Sequence, residues 1–409
     1  MDEPGMVLVG AGQAGGRAAL TLRDLGYDGR IVLLGAETSP PYERPPLSKA
    51  YLTGERAAGD FTFAKTAALE AAGIEFHADC TVETIDRAGK TVRLAGGERV
   101  GYAKLLLATG RAARQLPLKG AVAERVLYLR DLSDADRLRQ ALRPGARIAI
   151  VGGGFIGLEV AASAALLGCR PVVIELAPRL LSRMVPAPIA DFLQARHVAA
   201  GVDIRLGARL QDIALYDNVL ELALADDGMI EADAVLIGIG AVPRTDLAEA
   251  AGLPVDGGIV VDATLATADP GIFAAGDVCA FPHAMAVGLM RLECWKNADA
   301  QGVLAARNML GAGEPCVDVP WFWSDQYELT LQMAGVPERG TVTVERDVGA
   351  EARLLFHLDD TGRLVGVSGV GPAALGREVR IGQLMIERGL APDPAALADP
   401  ATRLKSLLR

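Results

Sequence analysis

One pattern occurs twice in this chain, and its repetition leaves few folds open. The first copy runs from an apolar strand, Met6 to Val9, through Gly10-Ala-Gly12-Gln-Ala-Gly15 into a helix pattern, Arg17 to Leu25. The second runs from Ile148 to Val151 through Gly152-Gly-Gly154-Phe-Ile-Gly157 into a small-residue helix pattern, Val160 to Leu167. Each reads as a strand, a tight glycine turn and a helix N-terminus. The amides and positive dipole end of such a turn suit a pyrophosphate, and only glycine lets the backbone come that close. A second apolar strand follows in each copy and leads to a carboxylate. Glu37 follows Ile31 to Leu34, and Glu175 follows Pro171 to Ile174. At about 20 residues beyond the turn, an acid takes the ribose hydroxyls of a dinucleotide. A lone GxGxxG is weak evidence, but strand, helix and acid together make a dinucleotide site the expected reading.

The duplication continues beyond the turns. Hairpin-like β patterns trail each unit, at Glu75 to Ile85 and Thr91 to Leu94 in the first, and at Asp203 to Leu206 and Val219 to Leu224 in the second. Each set ends in an apolar strand running into glycine, Gly110 or Gly240. The strand ending in Gly276-Asp277 should return the chain to the first sheet, which makes the second unit an insertion. An Asp at a strand's C-terminal end lies where α/β sheets bind ligands. Beyond Gly311, Trp321 to Trp323, Leu329 to Met333, Arg353 to Leu358 and Arg363 to Val370 read as antiparallel strands, followed by a helix, Arg377 to Arg388. The expected class is α/β. Two Rossmann-like dinucleotide-binding domains, the second inserted in the first, precede a C-terminal α+β domain with an antiparallel sheet. The boundaries read as 1–113, 114–240, 241–313 and 314–409. Two nucleotide sites suggest electron passage between cofactors, although a duplicated fold can also lose one site.

Composition narrows the setting. The net charge of −10 argues against nonspecific nucleic-acid binding. No apolar run reaches the roughly 18 residues needed to span a bilayer, and the N-terminus enters a strand within a few residues, so no membrane association and no signal peptide are expected. The five cysteines contain no CxxC pair, and the four histidines lack metal-ligand spacing. A reducing, cytoplasmic setting and no metal are the expectations.

More specific strings now enter. Gly10/Gly12/Gly15, Arg44-Pro-Pro-Leu-Ser-Lys49, Ala108-Thr109-Gly110, Gly152/Gly154/Gly157 with Glu159, Gly276-Asp277 and Trp321-Phe-Trp-Ser-Asp-Gln326 resemble the FAD-dependent ferredoxin reductases of bacterial oxygenase systems. This is the family of putidaredoxin reductase and the reductases of biphenyl-type dioxygenases, and the resemblance covers essentially the whole chain and implies a glutathione-reductase-like arrangement, with the NAD domain inserted in the FAD domain. It implies FAD on the first unit, held by Gly10, Gly12, Ala14, Gly15, Glu37, Arg44, Lys49, Val82, Ala108, Thr109, Gly110, Arg130, Gly276, Asp277 and Trp295. Glu37 stands in for the Asp that relatives often carry one position earlier, where this chain has Ala36. It also implies NADH on the second unit, at Gly152, Gly154, Ile156, Gly157, Glu175 and Gly240, with Glu293 facing the nicotinamide.

The resemblance sets Lys49 and Glu159 beside the flavin's reactive edge as the catalytic pair. A cation there favours the reduced, anionic ring, and a carboxylate keeps the cation charged despite burial. An ordinary ion pair is the plainer alternative. Glu175 should favour NADH, because a carboxylate repels the 2′-phosphate of NADPH. Trp321 and Trp323 share one strand face, either as core or between flavin and partner. The implied reaction passes electrons from NADH through FAD to a [2Fe–2S] ferredoxin, Rieske-type or plant/adrenodoxin-like, that feeds an oxygenase. The protein would be a monomer or homodimer. A rubredoxin or other small-acceptor reductase, or a signalling flavoprotein resembling apoptosis-inducing factor, remains the alternative.

Overall fold

A computed structural model of the chain describes residues 4–118 and 120–409. By backbone contacts these fall into two compact units. One comprises residues up to Arg44, Ala58–Ala112 and Ala241–Asp318, and the other Pro45–Ala57, Ala113–Gly240 and Val319–Arg409.

The first unit is built on a parallel sheet. Strands Ile74–His77, Ile31–Leu34, Gly5–Val9 and Arg99–Leu107 lie side by side in that order. Ile272–Ala274 adds to the far side, with Ile272 opposite Leu105. Val7, Leu8, Ile31, Val32 and Leu105 to Leu107 are fully buried, as continuous apolar runs should be in a sheet covered on both faces. The strand Arg99–Leu107 serves two partners. Its first half pairs antiparallel with Thr91–Leu94, and its second half pairs parallel with Gly5–Val9. The helix Gln13–Asp24 begins directly at the glycine turn and packs on the helix Trp295–Met309. The two approach so closely at Gly302 that a Cβ there would lie 2.5 Å from the Ala14 carbonyl oxygen.

The second unit holds a parallel sheet in the order Asp203–Leu206, Arg170–Glu175, Arg147–Val151, Ala234–Ile237, Val126–Leu127. Beside it lies an antiparallel meander of Leu210–Tyr216, Val219–Leu224 and Met229–Ala232. Its C-terminal part is a five-stranded antiparallel sheet, ordered Trp321–Gln326, Leu329–Gly335, Leu364–Gly371, Arg353–Leu358, Val342–Arg346. The helix Gly376–Glu387 covers it, and the central strand Leu364–Gly371 is buried throughout.

Two sequence expectations are corrected. Glu75 to Ile85 is not one hairpin pattern, because Ile74–His77 pairs parallel with Ile31–Leu34 and only Val82–Asp86 is antiparallel. Likewise Asp203–Leu206 runs parallel to Arg170–Glu175. Both strands lie at sheet edges, where one side is solvated. Their alternation therefore reports the edge and not antiparallel pairing. The strand Val342–Arg346 escaped the sequence reading for the same reason, being mostly exposed. Among the described residues no helix is long and apolar enough to cross a membrane, and none form a metal-binding cluster.

Candidate functional site

The two glycine turns are built alike. Gly10 and Gly152 have φ of 109° and 111°, a region that excludes most side chains. A Cβ at Gly10 would lie 2.2 Å from the Ala108 carbonyl oxygen, and one at Gly152 2.4 Å from that of Gly238. The third glycine closes each turn, since a Cβ on Gly15 or Gly157 would strike the carbonyl oxygen of Gly10 or Gly152 at 1.9 or 2.1 Å. The middle glycines, Gly12 and Gly154, have nothing within 4 Å of a Cβ. Each turn therefore presents an open helix N-terminus of the size and charge that a pyrophosphate needs. Ile156, in the first turn of its helix, is exposed.

Ala108 and Gly276 lie against the first turn. Ala14 packs on Gly276, where a Cβ would lie 3.2 Å from the Ala14 Cβ. The Gly276 amide donates to Gln301 Oε1 at 2.8 Å. Thr109 Oγ1 donates to the Arg244 carbonyl at 2.8 Å, and the Arg244 amide to that of Gly110 at 2.9 Å. Glu37 and Arg44, both expected at the cofactor, pair with each other, and the Tyr42 hydroxyl also donates to Glu37. Val82 is buried in the hairpin core. Arg111, which sequence reasoning missed, lies with its Nε 3.1 Å from Asp277 Oδ2 while its guanidinium also pairs with Glu293. Arg291 holds the other oxygen of Glu293. Burial, with Arg111 adding repulsion, pushes the Arg291 guanidinium below its usual range. Glu293, expected to face the nicotinamide, thus sits in the charge cluster around Asp277. Trp295 opens the following helix, which Cys294 caps by accepting the Asn297 amide at 3.4 Å. Burial pushes the Cys294 thiol up to about 11, so it stays protonated and unreactive near neutrality.

In the second unit, Glu175 bends back on its turn. It accepts the Gly153 amide at 2.6 Å and the Ala177 amide at 2.7 Å. The Arg179 guanidinium is engaged by the carbonyls of Leu180, Ser182 and Val185. Gly240, at φ 106°, accepts the Arg114 amide at 3.0 Å. Arg130 lies just before the helix Leu132–Ala141, its amide donating to Asp134 at 2.9 Å. Lys49 Nζ lies 2.8 Å from Glu159 Oε2, to which the Ser48 hydroxyl also donates. Glu159 is 4% exposed. An ionised carboxylate so buried needs a cation and donors, and it has both.

Residues 5–302 match the family model described as pyridine nucleotide-disulphide oxidoreductase, and residues 321–408 match one described as reductase C-terminal. The chain belongs to this oxidoreductase family. Within it, the chain is 41% identical to the probable ferredoxin reductase CtmF of Castellaniella defragrans, over 98% of both chains. It is 40% identical to the ferredoxin–NAD(+) reductase component of the anthranilate 1,2-dioxygenase system of Burkholderia cepacia, over 100% of both. The structure is similar to putidaredoxin reductase in its covalent complex with putidaredoxin, with a TM-score of 0.94 and 34% identity, covering 100% of this chain and 99% of that one. In this member of the family all five cysteines are free. The sequence holds no CxxC pair, and both glycine turns are present.

Proposed function

We propose that this chain is an NADH:ferredoxin oxidoreductase that supplies an oxygenase, with FAD and NADH as cofactors. The observation that carries the reading is likeness along the whole chain, C-terminal domain included, to reductases named for their ferredoxins. The described geometry agrees with it, since two open glycine cradles suit two dinucleotides, and the sequence has no CxxC pair. FAD, when bound, would accept one hydride, two electrons with a proton, from NADH and give up the two electrons singly.

The chain's own residues supply binding and charge. Residues 1–113 and 241–313 would form the FAD domain, 114–240 the NAD domain and 314–409 the C-terminal domain. Gly10, Gly12 and Gly15 take one pyrophosphate, and Gly152, Gly154 and Gly157 take the other. Glu175 takes the adenosine ribose of NADH. Lys49 serves as the cation at the flavin, and Glu159 keeps that cation charged. The acceptor is a [2Fe–2S] ferredoxin of Rieske or plant/adrenodoxin type, in the cytoplasm, and the reductase works as a monomer or homodimer. At −10 the whole chain repels an acidic ferredoxin, so docking uses a local arginine patch.

Stopped-flow mixing tests the reading. Purified yellow protein should bleach on anaerobic addition of NADH and recover its colour as a [2Fe–2S] ferredoxin is reduced. A protein that stays yellow with NADH ends the proposal. Bleaching that only rubredoxin reverses would move the acceptor to that class.

A further inference from the structure

Glu159 stands at the end of a buried chain of side chains running in one direction. The helix Phe155–Leu166 turns Phe155, Glu159 and Ser163 to one face, as spacing by four dictates. On the strand Trp321–Gln326 the alternate residues Phe322, Ser324 and Gln326 share one face, and Phe322 and Ser324 meet that helix. Phe322 packs on Phe155 with centroids 4.3 Å apart and the ring planes tilted by 44°. One step along, Ser324 Oγ lies 2.7 Å from Glu159 Oε1. The Ser324 proton goes to the carboxylate, so its lone pair takes Gln326 Nε2–H at 3.0 Å. That turns Gln326 Oε1 toward His197, 2.8 Å from Nε2. Nε2 must then carry the imidazole proton, which leaves Nδ1 as the acceptor for the Tyr327 hydroxyl at 3.1 Å. Ser324, Gln326 and His197 are 1%, 2% and 0% exposed. Burial lowers the His197 pKa, in keeping with the neutral tautomer that the partners demand.

The outer end of the chain is anchored under strain. Tyr327 has φ 57°, a left-handed conformation that favours glycine. Its ring meets His197 edge-on at 5.1 Å, and the Arg196 guanidinium covers it at 4.0 Å. Arg196 is in turn paired with both oxygens of Glu328, at 2.6 and 2.8 Å. Phe322 on Phe155 gives the strand an apolar contact with the helix. The polar chain adds direction, since every proton points toward Glu159.

We propose that Ser324, Gln326 and His197 are positioning residues that fix the Glu159 carboxylate in the orientation at which it pairs with Lys49. This rests on the role given above to the Lys49–Glu159 pair. The test is the limiting rate of flavin bleaching by NADH, read beside the NADH Kd, FAD content and Tm. Ser324→Ala should lower the limiting rate about tenfold, the rate equivalent of one hydrogen bond to a charged group, with Kd unchanged. Ser324→Thr keeps the hydroxyl and should restore the rate. In a Glu159→Gln background, Ser324→Ala should add nothing, because residues acting through one group are not additive. Tyr327→Phe, at the far end, should slow bleaching about threefold. A wild-type rate in both Ser324→Ala and Tyr327→Phe, or an equal loss from Ser324→Ala in the Glu159→Gln background, overturns the proposal. If Glu159→Gln itself bleaches at the wild-type rate, the role of the pair has failed, and the positioning proposal falls with it.

Discussion

Arg111 Nε lies 3.1 Å from the Asp277 carboxylate, and both side chains are largely buried. The same guanidinium holds Glu293, so one cation stands between two acids. Removing it leaves Glu293 its pair with Arg291. Arg111→Ala should destabilise the protein by about 2 kcal/mol, below the roughly 3–5 kcal/mol for breaking a fully buried pair, because the cluster is partly solvated. Thermal melts with and without added FAD measure this. Asp277 is expected at the cofactor, so the FAD-dependent rise in Tm should shrink as well. An unchanged Tm in both conditions would show the cluster to be idle.

Lys49 gives the most direct test of the catalytic reading. Lys49→Met keeps the length and apolar stem while removing the charge. The protein should fold and retain FAD, since the glycine cradle and its partners lie elsewhere in the sequence. Flavin bleaching by NADH should slow about tenfold or more, as loss of an interaction made mainly in the transition state would produce. Wild-type bleaching kinetics would remove Lys49 from the mechanism.

Glu175 should separate NADH from NADPH. Its carboxylate is pinned by the Gly153 and Ala177 amides, while Arg179 is occupied by loop carbonyls. A fixed negative charge beside the ribose repels a 2′-phosphate, so kcat/KM should favour NADH by about tenfold or more. Glu175→Ala should narrow that ratio, mostly by weakening NADH. Equal use of both nucleotides by the wild type would contradict the assignment.

The parts of this site legible in sequence were those whose cause is local. Gly10 and Gly152 announce themselves because a close backbone approach tolerates no other residue. Lys49 and Glu159, separated by about 110 positions, could be paired only through a family likeness. Arg111 was missed because its partners lie at 277 and 293, and no spacing rule joins them. His197 looked like one of four scattered histidines. Its meaning comes from Gln326, 129 positions away, and from a strand meeting a helix that the sequence does not announce. The edge strands Ile74–His77 and Asp203–Leu206 misled for a related reason. Alternation reports how many faces are wet, and pairing direction is decided by distant segments.

Trp321 and Trp323 share a strand face and stack at 5.3 Å with their planes 24° apart. Both are only partly buried, so core packing does not account for them. Trp323 Nε1 donates to Asp325 Oδ2 at 3.0 Å, which orients the ring. If this face meets the iron–sulfur partner, Trp323→Ala should lower ferredoxin reduction several-fold more than reduction of a small dye. Rates with cytochrome-coupled ferredoxin and with ferricyanide make the comparison. Equal losses for both acceptors would return Trp323 to a structural role.

His357 should make stability depend on pH. It is 3% exposed on the strand Arg353–Leu358, with Nδ1 3.2 Å from the Thr343 hydroxyl and Nε2 3.2 Å from that of Ser368. Burial disfavours the imidazolium and lowers its pKa to about 4. An unfolded chain takes up that proton near pH 6.5, about 2.5 units higher. The stabilising contribution is therefore complete above pH 6.5, declines as the pH falls, and is gone below about 4. The slope approaches 1.4 kcal/mol per pH unit, for a total of about 3 kcal/mol. His357→Gln removes the titration while keeping hydrogen-bonding capacity. Denaturant melts between pH 7 and 4 should show the wild type losing about 3 kcal/mol more than this variant. Parallel stability curves would mean that His357 titrates in the fold as it does in the unfolded chain, and would overturn the prediction.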